Sequence, residues 1–201
     1  MYKHLKRMFD ICIAVPVLLL IYIVFGLPAR RVIKFSSYGH SLLTQKRVGK
    51  DGNPFDLYKL RTMYSNAKEI EEQNGLVSGH QVEENDPRVF PFGMWLRKSS
   101  LDEVPQWRNI LRGEMSFIGP RPAQPHEIEL WEKKYGKGLV GTRLKVLPGI
   151  TGWAQVSGRA KLGPKEKLEH DAYYVEHISF FLDLKILFLT VKVVLSKEGA
   201  Y

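Results

Sequence analysis

Cysteine is almost missing from this sequence, since Cys12 is the only one in 201 residues. An internal disulfide is therefore excluded, and a reducing environment suits the chain. Because Cys12 lies in an apolar run, we expect it to pack as a small hydrophobic side chain. The sequence also has no internal repeat and no low-complexity tract. A length of 201 residues allows one globular core with at most a small appendage.

Acidic residues are outnumbered by basic ones, 21 against 30, which gives a formal charge of +9. This charge favours anionic partners: nucleic acid, acidic lipid headgroups or phosphorylated small molecules. The sequence has no recognisable helix-turn-helix, zinc finger or RNP-type aromatic strand, which argues against a nucleic-acid partner. The six histidines do not form a convincing zinc site, because His170 and His177 have no cysteine partners.

Charge is absent from residues 11–28, which read ICIAVPVLLLIYIVFGLP and approach the roughly 20 apolar residues that a membrane-spanning helix needs. No cleavage pattern of a secretory signal follows, so we expect the segment to be retained. Cations flank it on both sides: Lys3, Lys6, Arg7, Arg30, Arg31 and Lys34. A re-entrant hairpin, bent at Pro16 or Pro28, would keep both basic ends on the cytoplasmic face. A single-pass anchor is the open alternative, and in either case Arg7 could pair with Asp10 one helical turn away.

The rest of the chain predicts an α+β domain over residues 36–201, behind a membrane-associated segment of residues 1–35. Residues 41–62 indicate a small β-hairpin around the turn GKDGNP. Period-two alternation places two apolar and two basic side chains on one face of this hairpin: Phe55, Leu57, Lys59 and Arg61.

Helices are expected to pack with the hairpin and to lie at the membrane interface. They are predicted early in 64–86, over 92–98, over 102–111 with Gly113 as C-cap, around 127–135, and over 173–195. The last carries Lys185 and Lys192 on one face, which suits either a core helix or an amphipathic interfacial one. The segment 147–159, LPGITGWAQVSGR, predicts a turn, a short strand and a second turn.

The stretch KSSLDEVPQW, residues 98–107, places two carboxylates side by side at Asp102 and Glu103. Helix capping is the common explanation, because Ser100 and Glu103 fit the S-x-x-E box and acids are favoured in a first helical turn. Pro105 weakens it, since a helix starting at Ser100 would place the proline where an amide should already bond back. A start at Asp102 would instead put this carboxylate at the mouth of the helix, where phosphates also bind.

Six stretches together resemble the bacterial sugar transferase family, the monotopic polyprenyl-phosphate sugar-1-phosphate transferases, in their small single-domain form. They are KRMFD at 6–10, QKRVGKDGNPFDLYKLRTM at 45–63, DPRV at 86–89, LRKSSLDEVPQ at 96–106, RGEMSFIGPRP at 112–122 and LPGITGWAQVSGR at 147–159. The resemblance implies an enzyme that transfers a sugar phosphate from a UDP-sugar to undecaprenyl phosphate and releases UMP. It further implies that Asp102 is the nucleophile, that a covalent aspartyl intermediate forms and that Mg²⁺ is the cofactor.

The chemistry requires cations, because a carboxylate attacks a charged diphosphate poorly until the phosphate oxygens are neutralised. Arg121 lies between two prolines that hold the backbone extended and could aim a bidentate phosphate donor, although a rigid surface loop explains the same pattern. Further candidates for the phosphates are Lys59, Arg61, Arg88, Arg143 and Arg159, each of which could also be a solvated cation. Glu103 is assigned to Mg²⁺ together with Asp102, or to the acceptor's proton. Asp171 and Tyr174, in DAYY, match a further family motif, with capping or packing as the alternative.

The implied substrates also predict a location. The polyprenyl acceptor is insoluble in water and the UDP-sugar is cytosolic, so we expect membrane lipids as partners and a catalytic domain on the cytoplasmic face of the bacterial inner membrane. Val15-Pro16 and Leu27-Pro28 replace the mid-segment Ser-Pro pair common in the family, which leaves the bend position open. A catalytically inactive membrane-anchored scaffold and a basic nucleic-acid-binding protein are the rival hypotheses, and the transferred sugar and the oligomeric state are not fixed by the sequence.

Overall fold

The computed structural model describes residues 2–75, 85–158 and 162–196. Its helices are α1 (Tyr2–Phe9), α2 (Val15–Ile21), α3 (Leu27–Ser36), α4 (Ala67–Gln73), α5 (Pro91–Lys98), α6 (Trp107–Arg112), α7 (Pro125–Tyr135), α8 (Lys137–Arg143), α9 (Trp153–Ser157), α10 (Pro164–Glu176) and α11 (Phe180–Ser196). The strands are β1 (Leu42–Val48), β2 (Pro54–Leu60), β3 (Ser116–Ile118) and β4 (Gly149–Thr151). This mixed, helix-rich architecture with small sheets agrees with the predicted α+β class.

The N-terminal segment is one long apolar helix, which contains α1, α2 and α3. Within the described residues, the stretch His4–Ser36 is long and apolar enough to cross a membrane. Turns of π-helix, Asp10–Ala14 and Tyr22–Gly26, come just before the two prolines and join the α-helical parts. A π-helical turn accommodates the amide that each proline lacks, so neither proline breaks the helical dihedral angles. The predicted re-entrant hairpin is therefore not confirmed.

Two polar residues near the start of this helix fasten it to the rest of the protein. The buried carboxylate of Asp10 accepts a hydrogen bond from the backbone amide of Phe117 at 2.9 Å, and Arg7 donates to the carbonyl of Ile110 at 2.8 Å. The expected pairing of Arg7 with Asp10 is thus replaced by separate hydrogen bonds, one between Asp10 and strand β3 and one between Arg7 and helix α6. Cys12 is exposed, so its predicted burial is wrong.

The predicted β-hairpin is confirmed. Strands β1 and β2 pair antiparallel, with Arg47 opposite Phe55 and Gln45 opposite Leu57. Phe55 and Leu57 are buried with Val15 and Leu18 of the long apolar helix, which explains why this face of the hairpin is apolar at its turn end.

A second sheet of two short parallel strands, β3 and β4, supports the loop that carries Arg121. Gly119 and Gly149 approach each other so closely that a Cβ on Gly149 would lie 2.1 Å from the Gly119 nitrogen. Only glycine permits this backbone contact. After β4 the chain forms α9, where the sequence predicted only a turn.

The C-terminal part differs from the predicted single helix over 173–195. It consists of two helices, α10 and α11, separated at His177. Helix α11 buries Ile186 and Asp183 while it exposes large apolar side chains: Phe180, Phe181, Leu184, Phe188, Val191 and Val194. Lys185 and Lys192 are also exposed, so α11 has the mixed surface expected of an interfacial helix.

Candidate active site

A 3-10 helical segment, Leu101–Gln106, carries the two neighbouring carboxylates. Ser100 precedes it with a φ of 56°, an uncommon conformation for a residue other than glycine. The α-helix predicted over 102–111 begins only at Trp107. Its predicted end is confirmed, because Gly113 has a left-handed φ of 80°.

The helix-capping explanation for Glu103 is wrong. No side-chain capping bond is present at Ser100. The Glu103 carboxylate instead accepts hydrogen bonds from two cations through a single oxygen, Oε1, at 2.9 Å from Lys59 Nζ and 3.0 Å from Arg121 Nη2. The carboxylate thus joins the hairpin to the loop after β3.

The electrostatic surroundings of Glu103 favour its charged form. Burial opposes ionisation, but the charges of Lys59 and Arg121 outweigh it and hold the pKa of Glu103 below its usual range. In return, the Glu103 charge raises the pKa of the Arg121 guanidinium. The Lys59 and Glu103 side chains are 13% and 14% exposed, whereas Arg121 is 55% exposed and can be reached from solvent.

For Asp102, burial outweighs the effect of the nearby cations on the carboxyl pKa. The residue is 7% exposed, and desolvation raises the pKa of its carboxyl although Lys59 opposes the shift. The neighbouring Glu103 charge raises the pKa of Asp102 further, whereas Arg97 lowers it. Asp102 is therefore a poorly solvated carboxylate whose ionisation depends on nearby cations, an environment typical of catalytic acids, bases and nucleophiles.

Asn109 joins helix α6, which directly follows the 3-10 segment, to strand β2. Its side chain accepts a hydrogen bond from the Tyr58 backbone amide at 3.1 Å and donates one to the Asp56 carbonyl at 2.7 Å. Asn109 is fully buried on α6, and Tyr58 adjoins Lys59. These bonds hold the Lys59 ammonium within reach of the carboxylate segment.

Arg143 holds the Arg121 loop from behind. Its Nη2 donates to the Arg121 carbonyl at 2.5 Å, and its Nε lies 3.0 Å from Asp171 Oδ2. Both members of this pair are almost completely buried, and burial raises the pKa of Asp171 to about 6. Arg143 also stacks over Trp131, 4.9 Å from the ring centroid. The structure thus places Arg143 and Asp171 behind the site, where they orient Arg121.

The other predicted site residues are distributed around the molecule. Arg88 is buried and ion-paired with Asp86 at 2.7 Å and with Glu71 at 3.0 Å. Arg61 lies beyond the end of β2 and donates to the Ser37 carbonyl at the end of the long apolar helix. Arg159 lies outside the described residues.

Tyr174 belongs to a separate polar cluster that joins the two ends of the chain. Its hydroxyl donates to Asp183 Oδ1 at 2.8 Å, while Asp183 Oδ2 lies 2.5 Å from the Tyr2 hydroxyl and 2.8 Å from Lys6 Nζ. Asp171 and Tyr174 share one turn of α10 as the motif suggested, yet they contact different networks.

The structure adds residues that the sequence interpretation missed. A small cleft contains Lys59, Glu103 and Arg121 together with Arg47, Gln106, Leu57, Pro122 and Gly149. Arg47 could have been found from the hairpin register, because it lies opposite Phe55 and hence on the same face as Lys59. Arg97, whose charge lowers the pKa of Asp102, donates a hydrogen bond to Thr62 at 2.8 Å. No sequence pattern indicated that it would lie near the carboxylates.

Comparison of the sequence with known proteins finds one matching family and several similar sugar transferases. The sequence model of the family described as "Bacterial sugar transferase" matches residues 1–197. A relative in Escherichia coli strain K12, named UDP-glucose:undecaprenyl-phosphate glucose-1-phosphate transferase, is 41% identical over 205 residues. Another in Salmonella typhimurium, named undecaprenyl-phosphate galactose phosphotransferase, is 36% identical over 217 residues. A third in Bacillus subtilis, named uncharacterized sugar transferase EpsL, is 38% identical over 195 residues.

The relatives differ in length. Each match includes 97% or more of this chain. The matched part is 89% of the Bacillus protein but only 42% of the Escherichia and Salmonella proteins. The chain therefore corresponds to nearly all of the shorter relative and to less than half of the two longer ones.

Proposed function

This chain belongs to the bacterial sugar transferase family, and on that premise we propose that it transfers a sugar 1-phosphate from a UDP-sugar to undecaprenyl phosphate. UMP leaves, and the product is a lipid-linked diphosphosugar on which a glycan can be built. Relatives named for glucose and for galactose support this reaction type while differing in the sugar.

One observation carries the proposal: a buried carboxylate, Asp102, adjoins a carboxylate held by two cations. Lys59 and Arg121 converge on Glu103 within 3.0 Å. Burial raises the pKa of Asp102, and the charge of Lys59 opposes that rise. A nucleophile for a diphosphate needs cations nearby, because they favour its ionised form and screen the phosphate charge that would repel it.

The reaction consists of two displacements at phosphorus. In the first, a carboxylate oxygen of Asp102 bonds to the β-phosphorus, the bond from that phosphorus to the bridging oxygen breaks, and UMP leaves with the electron pair. In the second, an oxygen of the lipid phosphate bonds to the same phosphorus and releases Asp102 as a carboxylate. The anomeric bond of the sugar is unchanged throughout, and one diphosphate replaces another.

We expect Mg²⁺ to be the cofactor, in its usual role at phosphate sites. Among the described residues, no three His, Cys, Asp or Glu side chains form a ready metal cluster. Mg²⁺ commonly uses only one or two carboxylates and takes its other ligands from substrate phosphates and water. Asp102 and Glu103 are the carboxylates that would hold it. Bound there, the ion would neutralise charge on the diphosphate and on the leaving UMP.

The long apolar helix indicates membrane association, and we propose that the site faces the cytoplasm at the inner membrane. The acceptor is anchored in lipid, so the carboxylates must lie near headgroup level. The helix is exposed along much of its length, for example at Leu20, Ile23 and Phe25, as a lipid-facing surface requires. Labelling of Lys3 and Lys34 from each side of sealed vesicles tests the topology. Labelling from one side supports a re-entrant arrangement, whereas labelling from opposite sides establishes a span.

The decisive test is the intact mass of the detergent-purified protein after mixing with Mg²⁺ and individual UDP-sugars, without acceptor. We expect a sugar-phosphate adduct and UMP release with at least one donor, both lost in Asp102→Asn. That variant keeps the size of the side chain but removes the nucleophile. If no donor gives an adduct or UMP, even after undecaprenyl phosphate is added, the chain is a scaffold and not a transferase.

A further inference from the structure

Arg47 occupies an unusual position for an arginine. It lies on β1 directly across from Phe55, is only 9% exposed, and contributes to the same cleft as Lys59, Glu103 and Arg121. Burial and the nearby charge of Arg121 both lower the pKa of its guanidinium. An arginine nevertheless stays charged, so the cleft contains a cation that is costly to bury.

The surrounding protein satisfies this guanidinium only in part. Nη2 donates to Gln45 Oε1 at 2.9 Å, and the nearest carboxylate oxygen, Glu127 Oε2, is 4.0 Å from Nη1. That oxygen already accepts a hydrogen bond from the backbone amide of Gln124 at 2.6 Å. Among the described residues, the buried Nε has no acceptor. A buried donor with no partner normally costs about 1–3 kcal/mol, so an anion that accepts hydrogen bonds from this guanidinium would offset part of that cost.

The charges of the cleft indicate what that acceptor is. Arg47, Lys59 and Arg121 contribute three positive charges, and Glu103 contributes one negative charge. Glu127, 4.0 Å from Arg47, offsets one further charge, so the side chains around the cleft keep a surplus of one positive charge, which suits an anionic ligand. The backbone keeps Arg47 and the Arg121 loop together, because the Val48 amide bonds the Ala123 carbonyl at 2.9 Å. Two guanidinium groups on one rigid frame match the oxygens of a diphosphate.

We propose that Arg47 is a substrate-binding residue that holds the diphosphate of the nucleotide donor together with Arg121. This inference rests on the proposed function, and it assigns a role to a residue of β1. Because the two arginines bind a diphosphate jointly, loss of Arg47 should affect a nucleoside diphosphate more than the monophosphate that leaves the enzyme. Arg47 thereby favours the donor over the leaving UMP.

Direct binding tests the proposal without any dependence on turnover. Titration calorimetry on the detergent-purified chain would measure UDP and UMP binding to wild type, Arg47→Gln and Arg47→Lys. We expect Arg47→Gln to weaken UDP binding by about tenfold or more, as loss of a charge-assisted hydrogen bond does, and to weaken UMP binding much less. The UDP affinity of Arg47→Lys should lie between those of wild type and Arg47→Gln, because lysine keeps the positive charge but lacks the paired N–H donors of the guanidinium.

Lys46→Gln is the matched control. Lys46 is adjacent on β1, its side chain is 71% exposed, and its partner is Asp56 and not a cleft residue. We expect it to bind both nucleotides as wild type does. The proposal would be overturned if both Arg47 variants lost equal affinity for UDP and for UMP, or if Arg47→Gln bound UDP as tightly as wild type does. If Arg47→Gln does not fold, the ratio of UDP to UMP affinity in Arg47→Lys decides alone.

An additional titration separates this inference from the proposed function. If wild type binds inorganic diphosphate but neither UDP nor any UDP-sugar, the proposed donor is wrong. Loss of diphosphate binding in Arg47→Gln would then still support Arg47 as a diphosphate ligand. Retention of diphosphate binding in that variant would overturn the role of Arg47 as well.

Discussion

Asp102 and Glu103 are neighbours in the chain, yet their surroundings shift their pKa values in opposite directions. Burial raises the pKa of Asp102, while two cations hold the pKa of Glu103 low. In the 3-10 segment successive side chains point about 120° apart, so each carboxylate meets a different environment. Paired carboxylates with separated pKa values are typical of sites in which the two groups have different roles. Here the surroundings of Glu103 favour its anionic form, whereas burial makes Asp102 the easier of the two to protonate.

The first prediction concerns Lys59 and the pH dependence of donor turnover. Because Lys59 opposes the rise that burial causes in the pKa of Asp102, Lys59→Gln should raise that pKa further and move the acid limb of kcat/KM to higher pH. UMP release measured between pH 4 and 9 would show the shift. Lys46→Gln is the control with an unchanged profile. An acid limb at the same pH in Lys59→Gln would show that Asp102 does not govern it.

The second prediction separates the catalytic from the structural contribution of Arg121. Its side chain is 55% exposed, and solvent-exposed ion pairs stabilise folded proteins by about 0–1 kcal/mol. We therefore expect Arg121→Gln to change the melting temperature little, while it slows UMP release by about 100-fold or more, as loss of a charge-stabilising donor does. Arg112→Gln, another exposed arginine near β2, should affect neither quantity strongly. A large fall in melting temperature with proportional loss of activity would make Arg121 a structural residue.

The third prediction concerns Arg143 as a positioning residue. Arg143→Lys keeps a cation near Asp171 but cannot both pair with it and donate to the Arg121 carbonyl as the guanidinium does. We expect kcat to fall about tenfold or more while KM for the UDP-sugar changes little, because the donor still binds but Arg121 is less well aimed. Steady-state UMP release in the presence of undecaprenyl phosphate, over a range of donor concentrations, measures both. A rise in KM alone would mean that Arg143 contacts the donor.

The fourth prediction concerns Asp171 and stability. Its folded-state pKa of about 6 exceeds the value of about 3.9 expected in the unfolded chain. The proton on Asp171 therefore stabilises the fold below pH 4, and this contribution is lost as pH rises towards 6. The shift corresponds to at most about 3 kcal/mol. Thermal unfolding in detergent should show the wild-type melting temperature falling between pH 4 and 6 relative to Asp171→Asn. Parallel curves for the two proteins would contradict the assignment.

The sequence by itself determined the family, the carboxylate pair and the local elements that carry it. Each of its motifs is a contiguous stretch of sequence. Neighbouring residues in the chain therefore determine four local features: the apolar helix, the hairpin around Gly49, the αL end at Gly113 and the Arg121 loop. Turn chemistry, strand alternation and helix ends depend on short-range sterics and hydrogen bonds. Local patterns can therefore predict these elements.

Only the tertiary structure decided which cations meet the carboxylates and which serve elsewhere. Lys59, Arg61, Arg88, Arg121 and Arg143 are equivalent as charges in the sequence. In the fold, Lys59 and Arg121 reach Glu103, Arg88 pairs with Asp86, and Arg143 supports the Arg121 backbone. Arg47 joins the site only because β1 pairs with β2 in one register. These assignments depend on burial and on contacts between distant parts of the chain, which decide whether a cation is neutralised, solvated or left available for a substrate.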